Sequence, residues 1–328
     1  MEWTQGSTAL RNSIKMDDRT IRIESAGLFT TVQDTGRYGY QSYGLPVSGA
    51  MDSFSLYLAN KLVGNPQDYA CLEATFTGPE ISFNSPAIIA VTGADMGPCI
   101  NGREIPGYCP VEVKAGDVLS FSGLKSGCRT YVAFSGGIDV PLVMGSRSTY
   151  LRGRLGGYQG RALQAGDIIS LGLPGNKSSG WEMPPGLLPE YRPEQVLRVI
   201  AGPDRNCFER EGMEVFFESG YVVTGESDRM GYRLYGPEVR HKPGHAEIIS
   251  SGVSMGTVQV PGNGQPIVLL ADRQTTGGYP RIASIISVDL TLIAQMIPGD
   301  KVYFREVTTG KARKLQIERH RLLSDLKP

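Results

Sequence analysis

Four glycine-rich segments of this 328-residue sequence carry arginine together with hydroxyl or amide side chains. They are residues 31–52, 145–161, 226–236 and 272–280, the last of which reads DRQTTGGYP. An arginine presents a rigid fork of donors to a carboxylate, carbamate or phosphate, and nearby hydroxyl, amide and backbone N–H groups can bind an oxyanion. Glycine lets the backbone approach a ligand closely. Such loops are also common as solvated connectors, but four of them in an apolar strand framework favour one shared cleft for a planar, oxygen-rich substrate.

Two other motifs suggest different chemistry but lack the required context. Residues 252–256 fit the G-x-S-x-G pattern of α/β-hydrolases, and His320 lies downstream. The residues after Ser254, TVQVPGNGQP, predict a strand and a turn instead of the required helix, and His320 lies in a charged tail that we expect to be a peripheral helix. The segment GNKSS at 175–179 lacks the remainder of a phosphate-binding loop. The sequence therefore argues against a serine hydrolase and against a P-loop enzyme.

A metal site is not predicted. His241 and His245 have the spacing of a helical metal motif, but Pro243 and Gly244 between them break a helix, so we expect loop histidines. The five cysteines form no C-x-x-C pair, which favours reduced, packed thiols.

Charge and hydropathy exclude several classes of partner. Lysine plus arginine and aspartate plus glutamate both number 33, so no net field favours nucleic acid or an anionic membrane. The longest apolar runs, such as AIIAV and IVLLA, are far shorter than a membrane span, and the first 19 residues lack the pattern of a signal peptide. We therefore expect a cytoplasmic protein.

Short β-branched and aromatic segments between glycines and prolines predict a mainly β fold. The segments are TIRIE, FTTVQ, AIIAVT, VLSFS, TYVAF, IISL, VLRVI, YVVT, TVQV, IVLL and KVYF. Helices are predicted at 51–64, where apolar residues recur at helical spacing, and at 287–300, with Ser287 as N-cap and Asp289 in the first turn.

The proline-rich stretch 173–195 is the predicted linker between two domains. Residues 20–172 and 196–307 would form these domains, 308–328 a C-terminal tail, and 1–19 a disordered extension, with Met16 as an alternative start to Met1. The segments KAGDVLSF, QAGDIISL and PGDKVYF resemble one another, as do GGYQGR and GGYPR. Gly-Asp is also ordinary turn chemistry before a strand, so duplication of one β domain and simple turn chemistry both remain open.

Several of these segments together resemble a known family. They are residues 31–65, GSRSTY, GGYQGRAL, SDRMGYRL and DRQTTGGYP. Over residues 20–307 the chain is similar to allophanate hydrolase subunit 2 and to the A and B carboxyltransferase subdomains of urea carboxylase, a family that includes the C subunit of bacterial 5-oxoprolinase and the Kip antagonist. The resemblance implies two tandem cyclophilin-like β-barrel domains with a few short helices.

The resemblance also implies partners and cofactors. A partner resembling allophanate hydrolase subunit 1 (Kip inhibitor-like) is expected, together with a lactam-utilisation-type subunit and a small amide or lactam as substrate. The expected function is that of a subunit, inactive alone, of an ATP-dependent 5-oxoprolinase that converts 5-oxo-L-proline to L-glutamate. ATP would be used by the complex at an unassigned place, with Mg²⁺ possible. Biotin would arrive only on another protein, because the chain has no Met-Lys-Met carrier signature.

Two alternatives remain open. The first is a regulatory binding protein of the Kip antagonist type, which sequesters a kinase inhibitor. The second is a carboxyltransferase or allophanate hydrolase-type subunit acting on urea or a related amide.

The resemblance and the loop chemistry together select candidate site residues. The candidate catalytic residues are Arg147, Arg229, Asp272 and Arg273, and the candidate substrate-binding residues are Gln33, Ser146, Ser148, Gln274, Thr275, Thr276, Gly278 and Tyr279. Asp34 and Arg37 would instead form a structural pair. Asp204 and Arg205 stand where the family has glutamine, which makes that loop the visible departure from the pattern.

Overall fold

The structure, a computed structural model, describes residues 19–174 and 185–325. The predicted extension up to residue 18, the GNKSS motif and most of the linker's first half lie outside these residues. Within them the chain is mainly β, with four short α-helices, as predicted.

The N-terminal half forms two antiparallel sheets. The six-stranded sheet has the order β11-β1-β4-β9-β6-β7 and the five-stranded sheet the order β2-β3-β10-β5-β8. The strands of the first are β1 (Thr20–Ser25), β4 (Glu80–Phe83), β6 (Pro98–Ile100), β7 (Arg103–Glu104), β9 (Val118–Phe121) and β11 (Ile168–Ser170). Those of the second are β2 (Phe29–Gln33), β3 (Cys71–Thr75), β5 (Ala87–Asp95), β8 (Pro110–Val113) and β10 (Ser126–Phe134).

The five-stranded sheet is buried on both faces, and the alternation of side chains along β10 shows how. Val132 and Phe134 pack in the core between the two sheets. Tyr131 and Ala133 point the other way, toward helix α1 (Ser53–Leu62). The predicted helix is confirmed, and Asp52 caps it by accepting a hydrogen bond from the Ser55 backbone N–H at 3.2 Å.

The C-terminal half closes into a seven-stranded barrel, in the order β12-β19-β16-β17-β14-β13-β20. The strands are β12 (Glu194–Ala201), β13 (Gly220–Val223), β14 (Gly231–Tyr235), β16 (Thr257–Gln259), β17 (Ile267–Leu269), β19 (Arg281–Ile285) and β20 (Lys301–Glu306). Only β12 and β20 pair in parallel, and this pairing completes the closure. A separate two-stranded antiparallel sheet is formed by β15 (Ser251–Gly252) and β18 (Thr276–Gly277).

The remaining helices differ in part from the prediction. The helix expected at 287–300 is a 3₁₀ turn at Ser287–Asp289 followed by the short α3 (Leu290–Ala294). Ser287 does not cap it, because the turn already begins at this residue. Helix α2 (Arg210–Glu218) was not predicted. The tail helix α4 (Thr309–Asp325) was, and it packs against α1, where the Lys61 ammonium donates to the Leu323 carbonyl at 2.7 Å.

The three Gly-Asp segments form the same turn. Asp117, Asp167 and Asp300 each accept, through a side-chain oxygen, a hydrogen bond from the backbone N–H three residues earlier, at 2.7, 2.8 and 2.8 Å. A strand follows each turn: β9, β11 and β20. The repeated sequence therefore encodes a repeated turn, whose geometry aspartate is well suited to close.

The two halves share a large buried junction. Met51, from the N-terminal half, packs in the core of the barrel. Gln295, at the end of α3, accepts from the backbone N–H groups of Cys128 and Arg129 and donates to Asp52, all at 2.8–2.9 Å. The Arg129 guanidinium in turn donates to the Tyr232 hydroxyl at 2.6 Å. These contacts fix one half against the other.

Candidate functional site

The first two glycine-rich segments meet at the Asp34 carboxylate, which is almost fully buried. It accepts hydrogen bonds from the Gly36 N–H at 2.8 Å and the Ser146 hydroxyl at 2.7 Å, and also from the Arg147 N–H and the Ser148 hydroxyl. Ser146 and Ser148 are completely buried. Their hydroxyls are thus engaged within the protein, and a substrate contact for either stays a prediction.

Gln33 and Arg37 strengthen the same connection. Gln33 is completely buried and donates to Thr31 and to the Thr149 carbonyl at 3.0 and 3.2 Å. The Arg37 guanidinium donates to the carbonyls of Val143 and Ser148, both at 3.0 Å. Arg37 and Asp34 share no hydrogen bond within the described residues, but both hold the first two glycine-rich segments together. Burial lowers the pKa of Arg37, although the charge of Asp34 opposes this effect.

Arg147 and the pair Arg229–Asp272 have separate positions. The Arg147 side chain donates to the Val140 carbonyl at 3.0 Å. Arg229 is buried at the domain junction, where it contacts Glu73 and, at 2.9 Å, Asp272. The oxygen atoms that Arg229 binds therefore belong to the protein itself, namely to two carboxylates and the Gly49 carbonyl. This gives Arg229 and Asp272 a structural role, and a catalytic role for either remains a prediction.

Arg273 has a different environment from its neighbour Asp272. It lines a hollow of about 600 Å³ at one end of the barrel, together with Gln41, Thr275, Ser254 and Arg281. Its guanidinium is half-buried and donates only to carbonyls among the described residues, those of Leu270 at 3.1 Å and Val253 at 3.4 Å. Burial lowers the pKa of Arg273. A guanidinium that is partly desolvated and lacks a carboxylate partner is suited to bind an anionic group.

The rest of DRQTTGGYP forms one side of this end of the barrel. Gln274 donates to Gln259 at 3.3 Å, and Gln259 donates to the Tyr279 carbonyl at 2.8 Å. Thr276 belongs to β18, and the Gly278 carbonyl accepts from the Ile248 N–H at 2.8 Å. These contacts fix the backbone of the segment, while the Thr276 and Tyr279 side chains remain exposed.

Asp204, one of the two residues of the family departure, lies behind the lining residues Pro203 and Arg281 and does not itself line the hollow. The Asp204 carboxylate accepts from the Arg281 side chain at 2.5 Å and from its backbone N–H at 3.1 Å. Burial raises the pKa of Asp204, but the hydrogen bonds and charge of Arg281 outweigh this and lower it overall. Sequence reasoning did not assign Arg281 or Gln41 to the site. For Arg281, the sequence offered one indication of a site residue: it ends the segment GGYPR, which resembles GGYQGR. For Gln41, the indication was its position in the first glycine-rich segment.

The four segments are divided between two hollows. The hollow at Arg273 is lined by Gln41 of the first segment and by residues of the fourth. A cavity between the two halves is lined by Leu151 and Arg152 of the second segment, by residues of the third, and by Asp272. The single cleft predicted from the sequence is therefore split, because Asp272 and Arg273 face different sides of the barrel wall.

Four exposed side chains with apolar surface lie close in the chain to residues that line the Arg273 hollow. Tyr43, two residues after Gln41, is 80% exposed, and Tyr38, three residues before Gln41, is also exposed. Ile249, three residues before Gly252, is 95% exposed, and Tyr279, two residues before Arg281, is partly exposed. Exposed apolar side chains that form one patch are typical of an interaction site.

The described residues also bear on a serine-hydrolase elbow, a metal site and a membrane-spanning helix. Ser254 is followed by a turn and β16 instead of a helix, while His320 lies on α4. Residues 19–174 and 185–325 contain no group of three or more histidine, cysteine, aspartate or glutamate residues arranged to hold a metal ion. In the same residues, no helix is both long and apolar enough to cross a membrane.

Comparison with known proteins identifies relatives that match this architecture. Residues 43–306 match the family model "Carboxyltransferase domain, subdomain A and B". The chain is 38% identical over 306 residues to the C subunit of 5-oxoprolinase from Escherichia coli (strain K12), covering 93% of this chain and 97% of that protein. It is 36% identical over 329 residues to urea amidolyase of Saccharomyces cerevisiae, covering 94% of this chain but only 18% of the yeast protein.

A solved structure gives the same result for the fold. The crystal structure of Kluyveromyces lactis urea carboxylase superposes with a TM-score of 0.90 at 32% sequence identity, over 94% of this chain and 29% of the yeast chain. This chain therefore spans less than a third of each of the two yeast proteins. Sequence and fold agree on the same conclusion: the chain belongs to the family of carboxyltransferase A and B subdomains that includes the bacterial 5-oxoprolinase C subunits.

Proposed function

We propose that this chain is a subunit of an ATP-dependent 5-oxoprolinase that converts 5-oxo-L-proline to L-glutamate. The observation that carries the proposal is the 38% identity to the C subunit of Escherichia coli 5-oxoprolinase, which extends over 97% of that protein. Coverage of almost the whole relative means that the correspondence involves a complete subunit and not one module of a larger enzyme. A cytoplasmic location is part of this proposal, because the reaction consumes ATP.

The hollow at Arg273 is the proposed contribution of this chain to the active site. 5-Oxoproline carries a carboxylate beside its lactam ring, and the Arg273 guanidinium can bind such a group through charge-assisted hydrogen bonds. Thr275, Ser254 and Gln41 offer hydroxyl and amide groups in the same hollow. In this arrangement Arg273 orients the substrate, while Arg281, held by Asp204, fixes the opposite wall.

ATP would activate the lactam carbonyl by phosphorylation, and hydrolysis of the activated amide would then open the ring. The hollow can take a phosphate oxygen at Arg273 as well as a carboxylate. A Mg²⁺ site does not fit there, because this cation prefers carboxylate oxygens and the residues lining the hollow include no aspartate or glutamate. Biotin has no place in this reaction and would enter only with a separate carrier protein.

The exposed residues Tyr38, Tyr43, Ile249 and Tyr279 form the proposed docking surface for a subunit-1-type partner. Each lies within three positions in the chain of a residue that lines the hollow, so a partner bound there would cover the hollow and exclude water from it. The lactam-utilisation-type subunit would complete the enzyme. This arrangement explains why the hollow is open in the isolated chain and why we expect the chain alone to be inactive.

Replacement of Arg273 tests the proposed site. In the complex purified with both partners, we expect Arg273→Ala to lower kcat/KM for 5-oxoproline at least a hundredfold, measured as glutamate released in the presence of ATP, since one charge-assisted contact is lost. Arg240→Ala, which removes an exposed arginine elsewhere on the same domain, is the matched control. Equal rates for the Arg273→Ala complex and the unaltered complex would remove this hollow from the active site.

Replacement of Tyr43 tests the docking surface. We expect Tyr43→Ala to weaken binding of the subunit-1-type partner about tenfold or more, measured by titration calorimetry, because exposed tyrosines are frequent binding hot spots. Tyr235→Ala is the control, since Tyr235 is similarly exposed but lies at another hollow of the barrel. A partner affinity insensitive to Tyr43 but reduced by Tyr235→Ala would place the interface elsewhere.

Transfer of a carboxyl group to urea is the second candidate function. The superposition on urea carboxylase, with a TM-score of 0.90, favours it. This reaction requires a carboxylated biotin carrier, so the same complex can be assayed with urea and a charged carrier in place of 5-oxoproline and ATP. Loss of carboxyl from the carrier that depends on urea, without glutamate formation from 5-oxoproline, would replace the first proposal by the second.

A further inference from the structure

A cavity of about 420 Å³ lies between the two domains, on the other side of Asp272 from the Arg273 hollow. The N-terminal half contributes residues of β2, β3 and β10 and of the loop at 151–152, and the barrel half contributes Gly225, residues 227–230, Tyr232, Asp272 and Pro298. Cavities of this volume are typical of small-molecule sites, and such sites are frequent at domain interfaces.

One wall of the cavity is a row of three neighbouring strand residues. Thr75 is the direct cross-strand partner of Phe29 on one side and of Arg129 on the other. Residues paired in this way point to the same face of the sheet, so their side chains line the cavity together. The wall therefore places an aromatic ring, a hydroxyl and a guanidinium side by side.

Two polar atoms of this wall have no hydrogen-bond partner among the described residues. They are the Thr75 hydroxyl and the Arg129 Nε, and both side chains are more than nine-tenths buried. A buried polar atom without a partner costs free energy, so each such atom requires an explanation, and a bound molecule that accepts the hydrogen bond is one. Both atoms belong to residues that line the cavity, which points to a ligand that accepts hydrogen bonds.

The charges around the cavity favour an anion at this wall. Arg229 is occupied by Glu73 and Asp272, whereas Arg129 and the exposed Arg152 form no ion pair within the described part of the chain. Two acidic residues line the cavity: Asp272 pairs with Arg229, and Asp228 uses its Oδ1 to accept from the N–H groups of Met230 and Gly231. Phe29, Phe76, Leu151 and Met230 provide apolar surface between these groups.

We propose that the cavity between the domains binds a small organic anion with an apolar body. The apolar body packs against Phe76 and Met230, and the acidic group accepts from Thr75 and Arg129 and is attracted by Arg152. The proposal is independent of the proposed function, because this cavity is not the Arg273 hollow. Since the ligand contacts both domains, its binding also stabilises the domain junction.

Binding of simple probes to the purified full-length chain tests the proposal directly. Sodium benzoate has the predicted chemistry, benzyl alcohol has the ring without the charge, and inorganic phosphate has the charge without the ring. By titration calorimetry we expect benzoate to bind at least tenfold more tightly than benzyl alcohol and phosphate not to compete with it. Equal binding of benzoate and benzyl alcohol would overturn the anionic part of the proposal.

Variants with matched controls locate the bound probe. An added Cβ at Gly225 meets no atom within 4 Å and the residue has no unusual φ, so Gly225→Trp can fold and adds bulk at the rim that this cavity shares with the hollow at Tyr235. Gly225→Ala is the control with a small side chain. Arg152→Gln removes a charge at the mouth, and Arg154→Gln removes one from the same loop outside the cavity. Thr75→Val removes the hydroxyl with little change of volume.

The expected pattern is specific. Gly225→Trp should abolish benzoate binding, Thr75→Val and Arg152→Gln should each weaken it about tenfold, and both controls should bind as the unaltered chain does. Melting temperatures measured without probe show whether each variant is folded. The proposal fails if no benzoate binding is detected, or if Thr75→Val and Arg152→Gln both bind benzoate as tightly as the unaltered chain.

Discussion

Asp34 shows what a single carboxylate does in this protein. It follows β2 directly and accepts hydrogen bonds from two segments that are more than 100 residues apart in the chain. In the sequence, Asp34 lies among glycines and hydroxyl residues that suggest a substrate site. In the structure its oxygen atoms accept hydrogen bonds from the N–H groups of Gly36 and Arg147 and the hydroxyls of Ser146 and Ser148. The same polar residues therefore connect one loop to the other.

Removal of this carboxylate should be costly. We expect Asp34→Ala to lower the free energy of unfolding by about 3 kcal/mol or more, because several buried donors lose their acceptor. Urea unfolding monitored by circular dichroism measures the change. Asp95→Ala is the control, since Asp95 is exposed and caps a turn by accepting from the Gly97 N–H. A loss at Asp34 no larger than the loss at Asp95 would contradict this account.

At the scale of elements, the Gly-Asp turns set where three strands, β9, β11 and β20, begin. Asp167 closes the turn before β11 and is also bound by two nitrogen atoms of Arg161, at 2.7 and 2.8 Å. The hydrogen bonds from Arg161 and from the Gln164 N–H lower the pKa of Asp167, although burial opposes them. β11 is an edge strand of the six-stranded sheet and pairs with β1. The turn therefore fixes the register of β11 against β1.

The lowered pKa predicts how this turn responds to acid. A carboxylate whose pKa is lower in the folded state contributes stability above its unfolded pKa of about 4, and this contribution is lost as the pH falls through the folded value. We expect Asp167→Asn to be less stable than the unaltered chain at pH 7, and the difference to shrink as the pH falls below about 4. Urea unfolding at a series of pH values measures both. A difference that does not change with pH would show that the charge is not involved.

At the scale of the whole molecule, the two domains are joined through a buried polar network. Glu73 in the N-terminal half accepts from the Tyr131 hydroxyl at 2.7 Å and from Arg229 of the barrel half, which also pairs with Asp272. Arg229 further donates to the Gly49 carbonyl at 2.6 Å. A network with so many partners on both sides makes the junction a rigid part of the molecule.

Loss of Arg229 should therefore lower both the stability of the chain and the cooperativity of its unfolding. We expect Arg229→Met to lower the free energy of unfolding by about 3–5 kcal/mol, because two carboxylates are left buried and unpaired. In calorimetry, the single unfolding transition expected for the unaltered chain should separate into two as the domains lose their coupling. Arg233→Met, at an exposed position of β14, is the control. One unshifted transition for Arg229→Met would show that the ion pairs do not couple the domains.

The sequence by itself determined the strand framework, helix α1, the Gly-Asp turns and the family. These depend on local periodicity and on short motifs, which the chain carries without reference to distant residues. The N-cap of the helix at 287 was predicted incorrectly, because the 3₁₀ turn already begins at Ser287 and Ile286 holds the N-cap position. Helix α2 was missed, and its apolar face becomes evident only where Phe216 packs against Phe304.

Only the tertiary structure decided which polar residues are left for a ligand. Asp272 and Arg273 are adjacent in the chain, yet Asp272 pairs with Arg229 while Arg273 faces the hollow without a carboxylate partner among the described residues. The difference arises because Arg229 also binds Glu73, 156 positions away, which holds Arg229 at the domain junction. Partner choice between charged groups depends on distances in space, and a sequence does not contain these until the chain is folded.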